Sequence, residues 1–267
     1  MSLASAIESA GKFSKQTIKG YLDGIPMHYI NVQTRSHDTV DIKLDGLVNE
    51  AIWREIPAFD NMLVSVPGTG EPGHYLTENR LLATEQGLYV SAVMYQPPET
   101  IVMRMTNRDN HTDRDTFGVT LDTTGHGEFA YWFAVGLGDT VMDGKVLPER
   151  RYTSDWDGTW LYKAARFEKG WSVEIFFPWS MVNLPEIEGR REVGFALSRQ
   201  VSHTNERYYW PGHTYSSPQF VTALNSMRVE GIEPRRLISV IPYMSTTLDK
   251  ARDDDDTRVG VDITWKP

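Results

Sequence analysis

From residue 87 to 201 apolar and polar side chains keep changing places at every second position. That period belongs to strands buried on one face and wet on the other. In Gly87 to Gln96, Leu88, Val90, Ala92 and Met94 share a face. Phe117, Val119 and Leu121 do so in Asp115 to Asp122. In Glu128 to Leu137, Phe129, Tyr131, Phe133 and Val135 point one way and Trp132, Ala134 and Gly136 the other. Trp171, Val173, Ile175 and Phe177 align in Gly170 to Phe177, leaving Glu174 on the opposite side. Thr159 to Phe167 and Arg191 to Val201 add two more strands. Phe117, Val119, Phe133, Val173 and Ile175 are the expected shared core.

Before this block, Val40 to Leu44 alternates and ends at the turn Asp45-Gly46, which predicts another strand. Val48 to Glu55, with Trp53, reads as a short helix stopped by Pro57. Residues 60–74 read as a long loop. Thr124-Gly125, Asp143-Gly144 and Lys169-Gly170 are turn signals between strands. Many short strands without a long amphipathic helix predict an all-β antiparallel sandwich of jelly-roll or immunoglobulin-like type. Three segments follow: a polar extension over 1–38, the sandwich over 39–230, and C-terminal strands over 231–267. In the last, Leu237 to Ser245 and Arg258 to Trp265 flank an acidic loop.

Composition narrows the function. Among 267 residues, 36 acidic against 27 basic side chains give a formal charge of −9. Nucleic-acid binding relies on clustered Lys and Arg, so no nucleic-acid partner is expected. Cysteine is absent, which removes disulfides, thiolate metal sites and thiol nucleophiles. No apolar run reaches transmembrane-helix length, and Met1 to Ala6 lacks the features of a signal peptide. The 8 Trp, 12 Tyr and 10 Phe make the chain rich in stacking surfaces.

The order of certain segments carries a resemblance. Ile42-Lys43-Leu44-Asp45-Gly46, Asn49-Glu50 and Trp53 come first, followed by Gly87-Leu88-Tyr89-Val90 and the strand Asp115 to Asp122. Gly170-Trp171-Ser172-Val173-Glu174-Ile175 and Gly194 to Arg199 complete the series. Over roughly residues 40–225 it resembles family 9 carbohydrate-binding modules. The resemblance implies a β-sandwich with a glycan or other small ligand. Arg108-Asp109, Arg199, Ile241-Pro242-Tyr243 and Val259 to Asp262 resemble, more narrowly, bacterial proteins with this module before an outer-membrane β-barrel. This implies that residues after about 235 begin a barrel whose remainder is missing here. That barrel would be the only membrane contact, with the domain in the periplasm or outer membrane of a Gram-negative bacterium. The family clamps sugar between two Trp. Where the first should stand, this chain reads Asn110 to Arg114. The second position falls near Thr214 or Tyr215, and the family's sugar-contacting Arg falls near Ala134.

Sugar rings stack their C–H faces on aromatics and need polar groups beside them. Tyr152 to Trp160 and Tyr208 to Tyr215 interleave those types. The ligand-binding candidates are therefore Trp132, Trp156, Trp160, Trp210, Tyr215, Asp155 and Asp157. The loops of Trp156 and Trp210 are expected to close over the side of Trp132. Glu174 and Arg199 are the expected structural ion pair. Asp109, Asp113 and Asp115 are oxygen ligands in one short stretch, the pattern that suits calcium; no other cofactor is expected. Two further functions have candidates. A glycoside hydrolase of carbohydrate catabolism needs two carboxylates, from Glu149, Asp155, Asp157 or Glu174. A haem-binding electron-transfer domain would draw on Met94, Met103, Met105, His74 or His111.

Overall fold

The computed structural model describes residues 29–185, 189–210, 220–232, 237–249 and 254–266. The chain divides into two units, Met1–Glu233 and Pro234–Pro267. In the first unit the strands are β1 (Tyr29–Asn31), β2 (Gln33–Arg35), β3 (Leu63–Val66), β4 (Thr77–Thr84), β5 (Gly87–Tyr95), β6 (Thr116–Asp122) and β7 (Ala130–Gly136). They continue with β8 (Thr140–Val146), β9 (Tyr152–Thr153), β10 (Leu161–Phe167), β11 (Gly170–Pro178), β12 (Arg191–Val201), β13 (Glu206–Trp210) and β14 (Asn225–Val229). One short helix, α1 (Ala51–Glu55), precedes β3.

A five-stranded sheet runs β10-β11-β5-β4-β2. A nine-stranded sheet runs β1-β14-β12-β6-β7-β8-β9, with β13 paired to β12 and β3 to β13. Pairing is antiparallel except for β1 on β14 and β2 on β4. The chain is all-β, as its alternation requires. Phe117, Val119, Phe133, Val173 and Ile175 are each at most 1% exposed and belong to one cluster between the sheets. Phe133 of β7 meets Phe177 of β11 at 4.5 Å between ring centroids, so the two inner faces interlock.

The outer face of the five-stranded sheet has its own lid. Leu82, Tyr89 and Phe176 point outward and are buried with Trp53 and Ile56, while Val40, Ile42, Leu44, Val48 and Ile52 pack against them. Residues 40–44 are therefore not the expected strand. They run over the sheet with no ladder partner, and their alternation answers to the surface beneath. Glu174 holds this cover down. Its carboxylate accepts from Trp53 Nε1 at 2.8 Å, Gly46 N at 3.1 Å and Asp45 N at 3.2 Å. Gly46, at φ +86°, is obligatory because a Cβ there would lie 2.7 Å from the Ala164 carbonyl carbon.

The expected pair of Glu174 with Arg199 does not form. Glu174 points out of the five-stranded sheet. Arg199 alternates with Leu197 and Val201 into the interior from the other sheet. There it donates to Thr77 Oγ1 at 2.8 Å, Gln96 Oε1 at 2.9 Å, Leu76 O at 3.0 Å and Tyr95 O at 3.2 Å. Gln96 Nε2 passes the link to Asp115 Oδ2 at 2.9 Å, so a buried cation and a buried anion are joined through an amide. Burial lowers the Arg199 pKa to about 10, which leaves it charged at neutral pH.

Two loop expectations also change. Asp143-Gly144 lies inside β8 rather than at a turn. The glycine is needed because β9 crosses so closely that a Cβ would stand 1.9 Å from Thr153 O. The loop over 60–74 contains β3, which adds to β13 at the sheet edge. In the second unit, β15 (Leu237–Asp249) and β16 (Asp254–Lys266) form one antiparallel hairpin.

Candidate functional site

The outer face of the nine-stranded sheet is built by alternate residues of β6, β7, β8, β12 and β13. Cross-strand register sets Gly144, Trp132, Thr120 and Ala196 in one row. Met142, Ala134, Gly118, Ser198 and Tyr209 form the next. Small residues thus pave the middle, and a Cβ at Gly118 would meet Ser198 Oγ at 2.5 Å. Trp132 and Tyr209 rise on either side, three strand spacings apart, or about 14 Å.

Because Gly144 has no side chain, the Trp132 indole lies across it and donates to Thr153 O at 3.3 Å. Tyr152 meets Trp132 edge-on at 5.4 Å, and His111 stacks on it at 6.1 Å and 22°. Trp132 is 7% exposed, whereas Tyr152 is 43% exposed and His111 is also exposed. Phe220 packs beyond Tyr152, with the Arg150 guanidinium over its ring at 4.6 Å. Trp132, Ala134, Met142, Ala196, Tyr209 and Phe220 form an apolar cluster separate from the main core.

Of the aromatic candidates only Trp132 lies on this face among the described residues. Trp156 packs on Tyr131 at 4.6 Å and Phe133 at 5.9 Å, on the core side. Trp160 is buried against Phe133 and Phe177. Trp210 is fully buried on Phe59 and Phe195 and donates to Asn61 Oδ1 at 2.7 Å. The expected closure of Trp156 and Trp210 over Trp132 is thus overturned: the core between the sheets offered those indoles more apolar contact than a loop tip does. Tyr215 lies outside the described residues, as does Thr214. Asp155 is exposed; Asp157 is exposed and takes the Arg108 Nε at 3.1 Å.

The three expected calcium ligands do not converge. Asp113 is exposed, and Asp115 is 1% exposed and accepts from Ser202 N and Gln96 Nε2. Asp109 instead lies with Asp143 and Asp157. Arg108 already supplies the cation there, reaching Asp143 Oδ1 at 2.6 Å. Asp143 also accepts from Gly158 N and Trp160 Nε1, so this group ties the segments around 108 and 158 to β8. Burial raises the Asp143 pKa and Arg108 opposes that rise.

For hydrolysis, Glu174 faces neither Asp155 nor Asp157, being sealed under Trp53 on the other sheet; Glu149 is an exposed loop residue. For haem, Met94 is core, Met103 and Met105 are surface residues, His74 rests on Tyr75 and His111 on Trp132. Sequence reasoning passed over Tyr152 and Tyr209 as site members in their own right. Tyr209 was legible, since it alternates against the inward Tyr208 and Trp210.

No family model and no curated protein matches the chain. Solved structures do. A family 9 carbohydrate-binding module from Caldicellulosiruptor kristjanssonii, in complex with cellotriose, is similar at TM-score 0.55 and 17% identity. The match covers 77% of this chain and 95% of that one. The same organism's family 9 module with glucose gives TM-score 0.54 at 16% identity, over 78% and 96%. A candidate carbohydrate-binding protein from Bacteroides uniformis gives TM-score 0.59 at 8% identity, over 75% and 98%. The chain shares the fold of these proteins.

Proposed function

We propose that the sandwich is a non-catalytic glycan-binding domain whose ligand lies on the outer face of the nine-stranded sheet. The observation that carries this reading is Trp132 set between the exposed rings of Tyr152 and His111, above a floor of Gly118, Ala134 and Ala196. Aromatic rings beside a flat apolar floor suit the C–H faces of a sugar, and Thr120 and Ser198 supply hydroxyls in the same rows. The two Caldicellulosiruptor modules of like fold hold cellotriose and glucose. Cello-oligosaccharides are therefore the first probes. Calorimetric titration is expected to show binding that W132A weakens at least tenfold and Y152A weakens less. Binding unchanged in W132A would move the site elsewhere.

The setting we propose is the cell envelope, and the hairpin supports it. Val240, Pro242 and Met244 share one face with Val259, Val261 and Ile263, and all six are exposed. The opposite face carries Ser245, Arg258 and Asp262 with the exposed Ile241 and Tyr243, the latter laid over Gly260. An apolar face backed by a mixed one, on strands of 13 residues, is compatible with the wall of a membrane β-barrel, whose strands need about 9–11. Fractionation of the native protein tests this: outer-membrane recovery is expected, and release with the soluble fraction would overturn it.

A further inference from the structure

At one end of the same face lies a cation that no carboxylate among the described residues balances. Arg114 directly precedes β6 and is 1% exposed. Its Nη1 donates to Thr106 Oγ1 at 2.7 Å and Asn110 O at 3.3 Å. Its Nε and Nη2 have no hydrogen-bond partner, and neither has Thr140 Oγ1, on a residue 4% exposed. Among the described residues no acidic group pairs with this guanidinium, and burial alone shifts its pKa, downward. Two other deeply buried charges among the described residues are richly satisfied: Arg199 has five acceptors and Glu174 three donors, whereas Arg191, 1% exposed, shares the Arg114 pattern on another strand, with Nη1 on Pro185 O at 2.6 Å and no partner at Nε or Nη2.

Arg114 Nε and Nη2 form the side-on edge of the guanidinium, two parallel N–H groups matched to the two oxygens of a carboxylate. Thr140 Oγ1 and Arg114 Nε both lie over Gly136. A Cβ on Gly136 would stand 2.6 Å from that hydroxyl and 3.0 Å from Arg114 Nε, so the bare strand is what lets both groups meet over β7. Gly136 lies on the Trp132 side of β7, four residues along the strand, roughly 13 Å or about two to three sugar units away. Segment 103–112 meets this arginine at Nη1 through Thr106 and Asn110, and its Met103 and Met105 are 43% and 75% exposed. Beyond Thr116 on the same row, Arg207 donates to Gln200 Oε1 at 3.0 Å, adding a second positive group.

We infer that Arg114 and Thr140 form a carboxylate subsite, taking the uronate group of an acidic glycan whose neighbouring sugars lie along the Trp132 face, with segment 103–112 shifting to admit it. The inference rests on the glycan-binding reading and specifies its ligand class. A buried guanidinium without a counter-charge is costly on its own, and an arriving carboxylate relieves that cost with two charge-assisted hydrogen bonds and a third from the hydroxyl.

The test compares cellotriose with its C6-oxidised trimer, which keeps the same linkage and stereochemistry and differs only in carrying carboxylates in place of the C6 hydroxymethyl groups. Titrations use the full chain at low and high salt. Wild type is expected to bind the oxidised trimer at least tenfold more tightly, with the preference shrinking in salt. R114Q should equalise the two trimers, and T140V should reduce the preference while leaving cellotriose affinity unchanged. Should R114Q fail to fold, the methyl ester of the oxidised trimer removes the charge from the ligand side and should bind like cellotriose. Equal affinity for both trimers in wild type, or a preference surviving in R114Q or with the ester, overturns the subsite. If cellotriose binds and W132A abolishes it while the oxidised trimer gains nothing, the subsite falls and the glycan-binding reading stands. If neither trimer binds, both fall.

Discussion

The two sheets turn the same kind of alternating strand outward, yet their outer faces end differently. On the five-stranded sheet, Leu82, Tyr89 and Phe176 are sealed by residues 40–56 of the same chain, and the one charge beneath, Glu174, is satisfied by three donors. On the nine-stranded sheet, Trp132 is flanked by rings that reach solvent, and Arg114 and Thr140 keep unpartnered polar atoms. The five-stranded side also leaves Ser91 Oγ, Arg80 Nε and His37 Nδ1 without partners, so what separates the two faces is the apolar cover, and a covered face serves stability. One left without such a cover is available to a ligand. The contrast places a covered surface on one side of the molecule and, on the other, the surface on which we propose that a glycan binds.

The strongest way to break this contrast is to remove Glu174. E174A leaves Trp53 Nε1 and the amides of Asp45 and Gly46 without their acceptor under a closed cover. Leaving a buried donor without its acceptor costs about 1–3 kcal/mol, and three donors lose theirs, so a loss of about 3 kcal/mol or more in urea unfolding is expected, with glycan affinity unchanged in the protein that remains folded. A variant as stable as wild type would show that the clamp does not hold the lid.

Next in size is a pH effect from the same group. Burial, with the charge of Glu50 adding to it, pushes the Glu174 carboxyl up to about 7 against the hydrogen bonds from Trp53, Gly46 and Asp45. In the unfolded chain it returns to about 4.5. The folded state therefore holds the proton more tightly. This stabilising contribution is full below about 4.5 and fades as pH rises towards about 7. Urea midpoints at pH 5 and pH 8 should draw closer together in E174Q than in wild type. Equal pH slopes in the two proteins would mean that Glu174 stays ionised throughout.

On the open face the effects are smaller in stability and larger in binding. W132A is expected to lower cello-oligosaccharide affinity tenfold or more, a loss of at least about 1.4 kcal/mol. Y152A removes a ring at the rim and should cost a few-fold in affinity, with less than about 1 kcal/mol in stability. Equal losses from both would argue that Trp132 serves only as packing. The smallest effect belongs to the exposed Arg35–Glu55 pair at 3.3 Å. Although it joins β2 to the end of α1, E55Q should change stability by no more than about 0.5 kcal/mol, because water screens both partners.

Alternation in β5, β6, β7, β11 and β12 was enough to assign inner and outer positions, because period two follows from backbone geometry and the core admits apolar side chains. Phe117, Phe133 and Ile175 lie where that rule puts them. It also separated Trp132 from Phe133 and Glu174 from Val173. What alternation leaves open is what lies over an outward side chain. Trp156, Trp160 and Trp210 stand in segments whose polar neighbours resemble a binding loop, but long-range packing draws their indoles into the core. Glu174 and Arg199 were matched by charge, yet they belong to different layers, and each found neutral partners brought near by distant segments. The chain's own sequence therefore determined the sandwich and the sidedness of its strands, through local geometry and burial. Which outer face is closed and which remains open was decided only in the tertiary structure, because the lid over 40–56 and the unpaired edge of Arg114 depend on contacts between segments apart in the chain.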